Sequence, residues 1–147
     1  MNNLMSTCYE RLIDGNKFAE FWKNDKGELH REDGPAITNF YENEVKRNEH
    51  WYLNDMLHRE NGPAYVNFYY NDGSIEEEGW YRYGELHRED GPAIITCDIY
   101  KKTNEYWLIK GQNITDEVNE WIERNNIRYW SEWSKREKAF FKLKFMR

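Results

Sequence analysis

Leu29-His30-Arg31-Glu32-Asp33-Gly34-Pro35-Ala36 recurs as Leu57-His58-Arg59-Glu60-Asn61-Gly62-Pro63-Ala64 and again as Leu86-His87-Arg88-Glu89-Asp90-Gly91-Pro92-Ala93. The copies stand 28 and 29 residues apart, differ at one position, and contain all three prolines of the chain. Such agreement marks internal duplication, and a period in the high twenties without a helical stripe indicates β-hairpin units. Around each copy the pattern continues. Trp51-Tyr52 and Trp80-Tyr81 precede their leucines by six residues, Trp22 precedes Leu29 by seven, and Trp107-Leu108-Ile109-Lys110-Gly111 starts a partial fourth copy. Within a unit, Trp51-Tyr52-Leu53 reads as a strand, Asn54-Asp55 as a turn, and Leu57-His58-Arg59 as its return. Gly34, Gly62 and Gly91, each followed by Pro35, Pro63 or Pro92, end that return, because proline removes a donor. Aromatic or β-branched runs follow at 37–41, 65–70 and 94–100.

The fold expected is mainly β: a short array of antiparallel β-hairpin repeats over 16–112, with an N-terminal helical cap over 1–15 and a C-terminal helical cap over 113–147. Leu4, Met5, Cys8, Tyr9, Leu12 and Ile13 are spaced for a short amphipathic helix closed near Gly15. Thr115 is the expected N-cap of a second helix presenting Val118, Trp121 and Ile122. A third over about 131–145 would place Trp133, Phe140 and Phe141 on one side. Leu29, Leu57, Leu86, Trp51, Trp80 and Trp107, with the repeated Gly-Pro pairs, are the structural positions. Units this small gain a core only by stacking.

These residues carry a family resemblance. The stretch from Trp22 to Gly111 resembles the MORN-like repeat proteins, in the variant with Trp-Tyr, a short hairpin and Leu-His-Arg-Glu-Asp-Gly-Pro-Ala that occurs in giant viruses, bacteriophages and some bacteria. The resemblance implies a β-repeat scaffold with no shared catalytic residue. It also makes a viral or phage accessory protein the natural setting.

Composition explains how so polar a chain folds. It has 147 residues, a mean hydropathy of −1.10 and 33% charged residues, yet 17% are aromatic. Seven Trp, 11 Tyr and seven Phe supply the area to bury. The net charge of −6 divides into +5 over residues 135–147 and −11 over the remainder. An acidic body disfavours general phosphate-backbone binding. Neither a membrane-spanning run nor a signal peptide is expected, and Cys8 and Cys97 form no disulfide framework, so the expected location is cytoplasmic. Both cysteines read as packed thiols, Cys8 on its helix.

His30, His58 and His87 invite a metal reading. Equivalent residues two strands apart lie about 10 Å from one another, whereas zinc draws its nitrogen ligands to about 2 Å from one centre. No metal or cofactor is therefore expected. Arg31, Arg59 and Arg88 either fork onto carboxylates or turn carbonyls as a spacing ladder or face outward to recognise acidic groups. The histidines and arginines are accordingly structural or form a repeated binding surface. Glu32, Asp33, Glu60, Glu89 and Asp90 are too alike to supply the differentiated pair that glycoside hydrolysis requires. There is no phosphate loop or nucleophile elbow, and no enzyme is expected. Glu76-Glu77-Glu78 reads as a solvated connection. Lys138, Lys142 and Lys144 lie among Trp130, Trp133, Phe140, Phe141 and Phe145, either facing the acidic body from a cap or binding nucleic acid or an anionic membrane. The function expected is non-enzymatic binding of a protein partner, a host component when the source is a virus or phage, with the C-terminal segment as the alternative site.

Overall fold

The computed structural model describes residues 6–13, 15–100, 103–127 and 130–146. Its long strands are β1 (Thr7–Ile13), β2 (Asn16–Lys23), β3 (Ile37–Phe40), β4 (Lys46–His50), β7 (Tyr65–Phe68), β8 (Ile75–Gly79), β11 (Ile94–Cys97) and β12 (Thr103–Tyr106). They form one eight-stranded antiparallel sheet in the order β1-β2-β3-β4-β7-β8-β11-β12. Beyond three of the tryptophans lie short hairpins: β5 (Tyr52–Leu53) with β6 (Met56–Leu57), β9 (Tyr81–Arg82) with β10 (Glu85–Leu86), and β13 (Leu108–Ile109) with β14 (Gln112–Asn113). The chain is mainly β, with its helices near the C-terminus.

Each hairpin closes with two residues at positive φ: Asn54 and Asp55, Tyr83 and Gly84, Lys110 and Gly111. This is the type I′ geometry, whose twist matches that of the flanking strands. Successive hairpins are bonded to one another. Arg31, Arg59 and Arg88 donate their N–H groups to the carbonyls of Tyr52, Tyr81 and Leu108, while Leu29, Leu57 and Leu86 accept from Asp55, Gly84 and Gly111. A second ladder joins hairpins to the long sheet. Trp22, Trp51 and Trp80 donate N–H to the carbonyls of Ala36, Ala64 and Ala93 at 2.7–2.8 Å. Those three alanines are fully buried, so the last position of the octapeptide has space for a methyl group and little more.

Three expectations are corrected. The N-terminal segment is not a helical cap: Thr7–Ile13 is the edge strand β1, antiparallel to β2, and Cys8 is exposed on it. Leu4, Met5 and the rest of that proposed helix before Ser6 lie outside the described residues. Pairing seven residues with β2 satisfies backbone groups that an isolated short helix would leave to water. The acidic run Glu76-Glu77-Glu78 is no connection but the middle of β8, paired with β7 on one side and β11 on the other. Phe140 is 51% exposed and does not share the buried side with Trp133 and Phe141.

The C-terminal elements are helix α1 (Thr115–Arg124), a 3-10 turn (Trp130–Glu132) and helix α2 (Lys135–Phe145). Ile114, not Thr115, occupies the N-cap position of α1. The Thr115 hydroxyl instead accepts the Trp107 N–H at 2.9 Å, replacing the alanine carbonyl that a further unit would supply. Ser134 caps α2 in a capping box with Glu137, which starts that helix later than position 131. Trp107, Val118, Trp133 and Phe141 then form the one large apolar cluster, with Trp107 and Trp133 stacked at 5.3 Å. Phe141 is 1% exposed and touches the rings of Trp107, Trp121, Trp133 and Phe145. Phe141→Ala is expected to cost about 3–5 kcal/mol in denaturant unfolding, more than any exposed substitution on α2.

Candidate functional site

The arginines of the octapeptide and two of its histidines are engaged with neighbouring segments, while its acids stay largely exposed. Each arginine places its guanidinium carbon over the tryptophan ring of its own unit: Arg31 over Trp22 at 4.0 Å, Arg59 over Trp51 at 4.0 Å, and Arg88 over Trp80 at 3.8 Å. On the other side of each guanidinium lies the repeated glycine. A Cβ on Gly34, Gly62 or Gly91 would meet the guanidinium carbon at 2.7, 3.0 or 2.8 Å. Arg31 and Arg88 also donate from Nε to Asp33 and Asp90, while Arg59 and Arg88 donate to the carbonyls of Pro63 and Pro92. The bond from Arg31 holds the Asp33 carboxyl below its ordinary range. At Asp90 burial is the largest single influence and acts upward, but the Arg88 hydrogen bond and charge, a backbone amide and Lys142 together hold the carboxyl below its ordinary range.

The histidines join neighbouring hairpins. His58 Nδ1 accepts the Tyr83 N–H at 3.2 Å and His87 Nδ1 accepts the Lys110 N–H at 3.1 Å. The first loop, one residue longer, uses a different link: Asn24 Nδ2 reaches Asn54 Oδ1 at 3.1 Å, and the buried His30 ring nitrogens make no hydrogen bond. Among the described residues no group of three His, Cys, Asp or Glu side chains gathers as a metal site. Lys138 stands over Trp130 at 5.1 Å, and Trp130 in turn covers Arg88 at 4.5 Å. Lys142 enters a recess of about 430 Å³ with Glu60, Glu89 and Asp90. Lys144 is exposed beside Phe145. Two of the three lysines therefore face the body of the chain.

What remains open is a face of the long sheet. Cross-strand register sets Phe21, Ile37, His50, Tyr65, Gly79, Ile94 and Tyr106 side by side in one row. Two residues along each strand, on the same face, run Asn39, Asn48, Asn67, Glu77, Thr96 and Asn104. Tyr52 lies near His50, and Tyr81 and Tyr65 lie over Gly79. Tyr65 donates its hydroxyl to Glu77 at 3.1 Å and accepts from Asn67, and Asn39 donates to Asn48 at 2.7 Å. Burial raises the Tyr52, Tyr65 and Tyr81 hydroxyls, with nearby carboxylates adding to the effect, so the phenols stay neutral donors. The opposite face is acidic. Glu20, Glu49, Glu78 and Glu105 each stand two residues before a tryptophan and align across the sheet between Thr38, Val66 and Ile95. Burial raises the Glu78 and Glu105 carboxyls, opposed in both by Arg88.

Neither row was identified from the sequence alone. The Glu-x-Trp spacing was visible, but the Tyr–Asn face joins residues from different strands and needed the register. Comparison with family models, curated proteins and solved structures produced no match. No described helix is long and apolar enough to cross a membrane.

Two predictions test this assignment of roles. Gly91 has no positive φ, so its need for a missing side chain comes from Arg88. Gly91→Ala should cost about 1–2 kcal/mol by displacing the stacked guanidinium. Most of that cost should vanish in an Arg88→Ala background, read as the coupling term of a double-mutant unfolding cycle. His50 and His58 have pKa values lowered by burial from 6.5. The unfolded chain therefore takes up protons first, and their contribution, complete above pH 6.5, is lost as pH falls through the folded values. Thermal unfolding should show a falling Tm over that window. Combining His58→Asn, which retains an acceptor, with His50→Phe, the residue type at equivalent position 21, should flatten the decline.

Proposed function

We propose that this chain is a non-enzymatic interaction protein that binds another protein across the tyrosine–asparagine face of its long sheet. The observation that carries the reading is the double row of phenols, apolar side chains and amides across β3, β4, β7, β11 and β12, with Tyr65 and Tyr81 lying over Gly79 where β8 crosses it. Tyrosine supplies large contact area with little side-chain entropy to lose, and amides adapt their donors and acceptors to a partner. Glu77 is the one carboxylate in the central rows, so the partner is recognised by hydrogen bonding and ring contact more than by charge. The resemblance to MORN-like repeat proteins of viruses, phages and bacteria makes a host-cell cytoplasmic protein the natural partner for an accessory factor.

The alternative surface is α2, where Phe140 and Leu143 are exposed among Lys142 and Lys144. Trp133 and Phe141, the rings that base stacking would use, are buried in the cap. That surface therefore suits an anionic membrane better than single-stranded nucleic acid.

Affinity capture should use three forms: the unaltered chain, a Tyr65→Ala/Asn67→Ala variant, and a Lys138→Gln/Lys142→Gln/Lys144→Gln variant. A saturable protein partner is expected, lost by about tenfold or more in the first variant, since central interface truncations cost more than ~1 kcal/mol each. Loss confined to the lysine variant and to low salt would transfer the function to α2. Failure to enrich any saturable partner would overturn the proposal.

A further inference from the structure

The long sheet ends at β12, which pairs with β11 alone. In the interior, a strand in this position is covered on its outer side by the first strand of the next unit: β4 by β7, and β8 by β11. Thr115 supplies the hydrogen bond that the next alanine would make, but α1 then leads the chain away from the sheet. Between them remains a groove of about 530 Å³. Thr103 to Tyr106 form one wall, with Thr115, Asn119, Ile122 and Ile127 forming the other. A sheet edge beside half-buried Ile122 of α1 and Ile127 just beyond it has the two parts that strand-addition sites use. Main-chain groups give affinity, and side-chain recesses give specificity.

The molecule's own pairing states what such a strand should contain. Opposite His50, Glu49 and Asn48 stand Tyr65, Val66 and Asn67; opposite Gly79, Glu78 and Glu77 stand Ile94, Ile95 and Thr96. Tyr106, Glu105 and Asn104 occupy the equivalent positions on β12. We propose that the groove between β12 and α1 receives an extended segment of a partner polypeptide as an added antiparallel strand. In chain order, that segment carries Tyr or Ile, then Val or Ile, then Asn or Thr. The β-branched residue comes to lie beside Glu105, as Val66 lies beside Glu49 and Ile95 beside Glu78. This site shares Asn104 and Tyr106 with the end of the tyrosine–asparagine face, but the added strand does not depend on a partner at the centre of that face.

The probe is a fluorescein-labelled peptide with the sequence of residues 64–69, Ala-Tyr-Val-Asn-Phe-Tyr, extended by two lysines and titrated against the full chain by fluorescence anisotropy. Saturable binding is expected. Peptides N-methylated at alternate amides, in both phases, should include one that binds about tenfold or more weaker, because the ladder bonds alternate. Ile122→Lys should weaken binding by a similar factor, whereas Tyr65→Ala should leave it within about twofold. Should Ile122→Lys fail to fold, hydrogen exchange on the unaltered chain provides the same test: saturating peptide should slow amides within Thr103–Tyr106 and leave those of β1 unchanged. Absence of saturation would overturn the proposal. So would indifference to both N-methylation phases, protection at β1 instead, or self-association of the chain that the peptide cannot displace. Loss of the captured protein in Tyr65→Ala/Asn67→Ala with peptide binding intact would keep the two sites distinct.

Discussion

A guanidinium group held between an indole ring and a backbone without a Cβ organises each junction between the long strands and the next segment. Three such sandwiches, at Arg31, Arg59 and Arg88, set the geometry of the octapeptide. The glycine is required because a methyl group would occupy the space of the guanidinium. The proline carbonyl and the aspartate then collect guanidinium donors that the ring cannot satisfy. The alanine follows in a space that is fully enclosed, where its carbonyl meets the tryptophan N–H. Stacking against an aromatic face suits the planar, weakly hydrated arginine side chain better than it would suit lysine. The same few side chains thus hold the hairpins, the long sheet and the spacing between units.

This economy changes how the surface is read. Charged residues that repeat in a sequence attract functional interpretations, and here the arginines and two of the histidines are engaged in holding neighbouring segments together. Their donors and acceptors are directed at turn amides, proline carbonyls and nearby acids. The sheet behind them carries quieter residues: tyrosines, asparagines and β-branched side chains, arranged by strand register into a face whose central rows hold a single carboxylate, Glu77. The two ends also differ. At β12 the aromatic cap closes over Trp107 and completes one bond of the ladder, whereas β1 is an exposed edge strand on all seven of its residues.

Several elements were legible because their signals are local. Asn54-Asp55 reads as a turn, and a type I′ turn forms there and at the equivalent Tyr83-Gly84 and Lys110-Gly111 of the other units. The runs after each Gly-Pro-Ala became β3, β7 and β11. The strands before each tryptophan were harder to see. Lys46–His50 and Ile75–Gly79 are polar or acidic, and they are strands because a neighbour on each side pairs their backbones. Glu77 and Glu78 then point to opposite faces, which a linear reading of Glu76-Glu77-Glu78 as solvated chain does not distinguish. At Cys8, Tyr9, Leu12 and Ile13, helical spacing was present, yet the long hairpin with β2 prevailed. Phe140 shows the same limit: a helix period narrows the set of inward residues, but contact with Trp107 selected Phe141.

The sequence by itself determined the repeat length, the hairpin turn of a unit and the place that glycine, proline and alanine hold in each copy. Those properties follow from backbone sterics and short-range spacing, which neighbouring residues already specify. Only the tertiary structure decided which arginine lies on which tryptophan, which amides and phenols share a face, and where the last strand lacks a neighbour. Each of those depends on how separate segments meet: the arginines reach tryptophans eight or nine residues earlier, and the row from Phe21 to Tyr106 is built from residues that pair across 12 to 16 residues of chain. A shift of one residue in that pairing would turn every side chain of a strand to the other face.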